Sequence, residues 1–252
     1  MMGRTHALSG WCAGLALASA LELGTIHQAV LFAATTAGYA LLPDLDHQHA
    51  RATYLLGPLT RALSWMLRRT SAAVYQATKG PRDERRSGTH RHLSHTVVFA
   101  IVLGLGTAFG STAGGAYGVL AVVLFGLLLA IDALGVWLAA VVVAAAAWWW
   151  ITLQDQYVRL DDLSGWLGLA VMLGCITHCL GDALTEAGCP FLWPLRIRGE
   201  TWYELRPPAF LRIRTGKQAE QILVVPALTL LGVILVPGVW PALTLIAGAL
   251  DR

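Results

Sequence analysis

Long apolar runs separated by two polar stretches dominate this chain. The first run covers Ala7 to Leu23 and the second about Gln28 to Leu42. Only Glu22 to His27 lies between them, so the pattern predicts a tight helical hairpin. From Asp44 to His95 the hydrophobicity collapses, and nine Lys/Arg fall in that stretch. Apolar character returns at Thr96 to Phe109, breaks at Gly110 to Gly115, and resumes to Ile131. Asp132 and Gly135 interrupt it before it continues to Trp148-Trp149-Trp150, which suit an interfacial belt. After a polar stretch from Gln154 to Asp162, Leu163 to Leu180 is apolar again. Gly181 to Gln221 is a second polar segment, and Ile222 to Leu250 is one long crossing or a proline-broken hairpin. A bilayer span takes about 20 apolar residues, fewer where the membrane thins. The expectation is an all-α, polytopic membrane helix bundle of about seven crossings, forming one domain over residues 1–252.

Inside the first polar stretch, Leu59, Leu63, Met66 and Leu67 recur at helical spacing opposite Arg61, Arg68 and Arg69. Pro58 suits a first helical turn and Trp65 the headgroup region. These features predict an amphipathic helix that lies in the interface or covers the end of the bundle. Composition agrees with a membrane protein: of 252 residues, 56% are hydrophobic and 13% charged, against about a quarter charged in soluble domains. That balance excludes a disordered chain and a secreted disulfide scaffold. A net charge of +3, unevenly spread, gives no footprint for nucleic acid. Arg4, an apolar core and Ala18-Ser19-Ala20 also resemble a signal peptide, but a second apolar segment follows at once. Cys12, Cys175, Cys179 and Cys189 follow no zinc-knuckle spacing and read as reduced small hydrophobes, with a thiolate role for Cys179 or Cys189 as the alternative.

The charges orient the chain. Arg4, the nine basic residues of the first long loop and six of the second (Arg196, Arg198, Arg206, Arg212, Arg214, Lys217) fall on one side. Arg159, with Asp155, Asp161 and Asp162 around it, lies opposite, and Arg252 is undecided. The positive-inside rule then puts the N-terminus and the loops 44–95 and 181–221 in the cytoplasm. This topology, drawn without reference to histidine, sorts the histidines. His6, His47, His49, His90, His92, His95 and His178 reach the cytoplasmic ends, joined by Asp44, Asp46 and Asp182. Only His27 lands opposite, as an interfacial or structural residue. Had Gly115 to Trp150 been a single crossing, His178 would sit across the membrane from His95.

Each member of that set has a bland reading: Asp44 and Asp46 after Pro43 can simply end a helix, and His178 with Asp182, four apart, can be a buried hydrogen-bonded pair. Together, at membrane depth, they point to a metal site. Imidazoles and carboxylates without thiolates favour zinc, with manganese or iron as alternatives, and the set is large enough for two or more cations. There is no Gly-x-Ser-x-Gly, no P-loop and no dinucleotide fingerprint.

Leu41-Leu42-Pro43-Asp44-Leu45-Asp46-His47, His90-Arg91-His92-Leu93-Ser94-His95 and Thr177-His178-Cys179-Leu180-Gly181-Asp182-Ala183-Leu184-Thr185 carry a family resemblance. With Gly188, Leu192-Trp193-Pro194, Thr5-His6 and Gly216-Lys217-Gln218-Ala219-Glu220, they resemble the YdjM-like family of bacterial inner-membrane proteins, described as membrane-bound metal-dependent hydrolases. The resemblance implies a metal centre made from His6, Asp44, Asp46, His47, His90, His95, His178 and Asp182. The family is also distantly similar to the zinc-dependent phospholipase C and single-strand nuclease group, and by that analogy the chemistry is phosphoester hydrolysis by a metal-activated water. His92 stands where the family usually has a small residue, and His49 has no counterpart, so neither receives a ligand role. Asp46, Arg91 and Glu220 are the candidates for catalytic roles. Arg91 would pair with a substrate phosphate or make a structural contact, and Glu220 would be a helix-start carboxylate or an outer partner of the metals. The expected substrate is a phospholipid or lipid phosphate at the cytoplasmic leaflet, and the oligomeric state is left open. A transporter fits less well because the polar groups crowd one face without an inverted repeat. A metal-stabilised scaffold without catalysis is the third reading.

Overall fold

A computed structural model of the chain describes residues 1–21, 23, 25–152, 164–240 and 244–245. Glu22, Asp155, Arg159, Asp161, Asp162, Arg252 and the side chains of Trp148 to Trp150 lie outside the described residues. So does most of the run after Trp240, and with it the choice between one crossing and two. Eight α-helices and no strand occur among the described residues. They are α1 (Gly3–Ala20), α2 (Ile26–Tyr39), α3 (Pro58–Thr78), α4 (Val97–Ala113), α5 (Gly115–Leu134), α6 (Val136–Thr152), α7 (Ser164–Ala183) and α8 (Val225–Ile234). The all-helical expectation holds. Two helices, α5 and α7, are both long and apolar enough to cross a membrane, while α4 and the run Ala219–Ile234 are apolar but shorter.

The hairpin α1–α2 forms as the pattern predicts, with Thr25 capping α2 by accepting from the backbone N–H of Gln28. α2 is the hub and packs against α1, α5, α6 and α7. Glycine makes that possible. A Cβ at Gly38 of α2 would lie 1.8 Å from the Gly126 carbonyl oxygen of α5, and one at Gly174 of α7 would lie 2.6 Å from the Thr36 oxygen. Backbones this close leave no room for any side chain, as at membrane helix crossings. α4 packs on α7, and α8 packs on α1.

α3 lies beside the bundle end with its apolar face outward, as an interfacial helix requires. Its polar stripe of Thr60, Ser64, Ser71 and Tyr75 is buried, while Leu59, Leu63, Trp65 and Met66 are exposed. Three of the inward hydroxyls bond to loop backbone. Thr60 donates to the Thr53 carbonyl (2.9 Å), Ser71 to that of Gly88 (2.6 Å), and Tyr75 to that of Glu84. Ser71 also accepts from the Leu93 N–H at 3.2 Å. The polar face of α3 thus positions the segment that carries His90 to His95. The second polar segment is tied to the same place: the Val97 N–H donates to the Phe191 carbonyl (2.9 Å), and the Cys189 thiol to that of His95 (3.0 Å).

Candidate metal centre

Four helix ends converge here: the start of α1 with His6, the end of α2 running through a 3-10 turn at Pro43–Asp46, the turn Leu93–His95 before α4, and the last turns of α7. His178 fixes the geometry. Its Nδ1 lies 2.8 Å from the carbonyl oxygen of Ala40, the residue that caps α2. A carbonyl only accepts, so Nδ1 carries the hydrogen and Nε2 presents a lone pair. That Nε2 lies 3.1 Å from Nε2 of His95 and 3.8 Å from both Asp44 Oδ1 and Asp182 Oδ2. His95 is turned in the same way, with its Nδ1 3.0 Å from Ser94 Oγ and 3.4 Å from Asp46 Oδ2. His6 stacks on His178 with ring centroids 3.9 Å apart, and its Nε2 is 3.2 Å from Asp182 Oδ1. Two groups, His6/His178/Asp182 and Asp44/His95/His178, each bring their ligand atoms within 4.8 Å of one another and share His178.

The donors fit a divalent cation. Two imidazole nitrogens 3.1 Å apart, each with its other nitrogen engaged, need a proton between them or a cation in its place. Both His6 nitrogens and Asp182 Oδ2 are buried without an aligned hydrogen bond, a cost that a coordinated ion removes. The charge of Asp182 is met meanwhile by the Arg91 guanidinium at 2.9 Å and the Met1 amino group at 2.5 Å. Burial pushes the His95 imidazolium down, but Asp46 and Asp182 outweigh it and hold the group up at about 9. Burial raises the carboxyls of Asp44 and Asp46, yet the facing imidazoles win and hold both below the ordinary carboxylate range. Both carboxylates are therefore ionised at neutral pH.

Residues 1–241 match the sequence profile of the YdjM inner membrane proteins. The chain belongs to the YdjM family. No curated protein and no solved structure matches it. The family is one of inner membrane proteins, and α5 and α7 have the length and hydropathy to cross a membrane.

The remaining candidates of this YdjM chain take distinct positions. Asp46 is saturated: Oδ1 faces His90 Nδ1 at 2.5 Å, while Oδ2 accepts from the Arg91 N–H (2.9 Å) and the Ser94 hydroxyl (2.7 Å). It orients His90 and His95 rather than offering a free lone pair. His47 and His90 sit beside each other at the rim with centroids 4.7 Å apart, and His49 is exposed beyond them. Arg91, at positive φ (56°), gives its side chain to Asp182. His92 turns away, its Nδ1 2.6 Å from the His90 carbonyl and its ring against Tyr75 and Trp202. Glu220 accepts from the backbone N–H groups of Met2 (2.7 Å) and Gly216 (2.7 Å), and so fixes the segment that leads into His6. Trp193 stacks on Trp202 at 4.9 Å. All four cysteines are free and buried, and neither candidate ligand group includes one among the described residues. Sequence reasoning missed Ser94, although it lies within His90 to His95, and the Ala40 carbonyl, which no residue type announces.

Proposed function

We propose that this YdjM-family protein is a membrane-bound, metal-dependent hydrolase of phosphoesters, with about seven crossings and the site on the cytoplasmic side. The observation that carries the reading is the pair of Nε2 lone pairs of His95 and His178, 3.1 Å apart among ionised carboxylates. His6, His178 and Asp182 on one side, with Asp44 and His95 on the other, would hold one or two cations, zinc by the balance of nitrogen and oxygen donors. A cation in that place would supply Lewis acidity and would make a water acidic enough to attack an ester near pH 7.

The chain's own residues do the rest. The Ala40 carbonyl keeps the His178 hydrogen on Nδ1, and Asp46 keeps His95 and His90 turned inward. Arg91 has donors left beyond the one that meets Asp182, and these pair with a phosphate oxygen and balance charge that builds on it. The sixteen basic residues counted on one side support cytoplasmic placement.

Protein purified in detergent is expected to carry at least one divalent ion per chain by elemental analysis. Phosphodiester or phosphomonoester turnover should vanish on chelation and return on reloading. Turnover that survives chelation would overturn the reading. So would a protein whose fold melts on metal removal while no phosphoester in a broad panel is cleaved, which is the behaviour of a metal-stabilised scaffold.

A further inference from the structure

A cavity of about 630 Å³ opens beside the metal centre, within the size range of small-molecule sites. Its composition changes from one side to the other. Asp44, His47 and His90 form the polar side. Leu41 and Ala52, with Leu129 and Ala133 from the last turns of α5, form an apolar wall. α5 is one of the two helices among the described residues with the length and hydropathy to span a membrane, so that wall is the end of a candidate membrane-spanning segment.

Two arginines line the same space. Arg51 is engaged, its Nη2 2.8 Å from Asp132 Oδ1 at the end of α5. The pair is exposed on the Arg51 side and contributes little to stability. Arg4 is different. It is exposed, lines the cavity, and has no acidic partner among the described residues. It also occupies the first turn of α1, which holds no acidic residue. There the positive end of the helix dipole disfavours a cation. Stability therefore gives no reason for an arginine at this position.

We infer that this cavity binds the head of an anionic, phosphate-bearing lipid, with Arg4 pairing with the phosphate and the α5 wall taking the first methylenes of the chains. The inference rests on the hydrolase reading of the neighbouring centre for what happens to the lipid afterwards, but not for binding. It makes Arg4 a specificity-determining residue: it discriminates phosphate-bearing lipids from neutral ones, and the wall discriminates lipids from free phosphate compounds.

The test uses metal-replete full-length protein in uncharged detergent and three probes. They are a dioctanoyl phosphatidate analogue with a non-hydrolysable phosphonate, glycerol phosphonate with the same head and no chains, and dioctanoylglycerol with no phosphonate. Affinity is read from the ligand-dependent rise in the thermal midpoint. The lipid phosphonate is expected to bind at least tenfold more tightly than glycerol phosphonate, and the neutral diglyceride to give no shift. Arg4→Gln should weaken the lipid phosphonate about tenfold, as loss of a charge-assisted pair does, and Arg4→Lys should recover most of it. Ala133→Phe should weaken the lipid probe and leave glycerol phosphonate unchanged. Equal affinity for the two phosphonates, or an Arg4→Gln variant that binds like the parent, would overturn the inference. Lipid binding of this kind without turnover of any phosphoester would defeat the hydrolase reading alone. Metal-dependent turnover of soluble phosphoesters with no lipid preference would defeat the cavity alone.

Discussion

His92 and His95 lie on one short segment, both buried, and they live in opposite chemistry. His92 sits in an aromatic nest of Tyr75 and Trp202, gives Nδ1 to a backbone carbonyl, and is held below the ordinary imidazole value by burial. His95 faces His178, Asp44, Asp46 and Asp182, and the carboxylates reverse the effect of burial. Burial alone therefore says nothing about the role of a histidine. What decides it is whether its second nitrogen meets carbon or another lone pair.

Four measurements break or sharpen that contrast. The largest effect is expected from His178→Ala, which removes the residue common to both ligand groups and should reduce bound metal from stoichiometric to trace by elemental analysis. Asp46→Asn keeps the shape but weakens the orientation of His90 and His95, and should lower metal affinity about 10- to 100-fold, as loss of an outer partner does. Competition with a chromophoric chelator reads that loss. A smaller effect concerns protons. Without a cation His95 is held up at about 9, so at pH 7 it is protonated and the metal must displace that proton. Apparent affinity should rise with pH between 7 and 9, and calorimetry in buffers of different ionisation heat should show proton release. The smallest change belongs to His92→Phe. It leaves the His90 carbonyl without its partner, which costs about 1–2 kcal/mol in denaturant unfolding while metal content stays at the parent level. Loss of metal in that variant would erase the distinction between the two histidines.

The helical runs, the convergence of His6, Asp44, His95, His178 and Asp182, and the shared face of His178 and Asp182 were legible because period and parity act over whole segments. The closing of α5 on the same end is visible in the ion pair of Asp132 with Arg51. α3 was legible in its period and in its outward apolar face. What its inward polar stripe would meet was not, because Thr60, Ser71 and Tyr75 bond to main-chain carbonyls of the loops it covers. Glu220 stands in the first turn of the last helix, as the helix-start reading expected, but the main-chain N–H groups of Met2 and Gly216 that it accepts from were not foreseen. Main-chain partners are spelled by no side chain, and for the same reason the Ala40 carbonyl behind His178 escaped detection.

Gly174 stands one helical turn before His178 and presses its bare backbone against Thr36 and the amide of Ala40. The hydrogen-bond acceptor that fixes the His178 tautomer therefore takes its position from an interhelical seam without side chains. A methyl group added at that seam would shift the coordination sphere without touching a ligand, and its damage would register as altered chemistry well before the protein lost its shape.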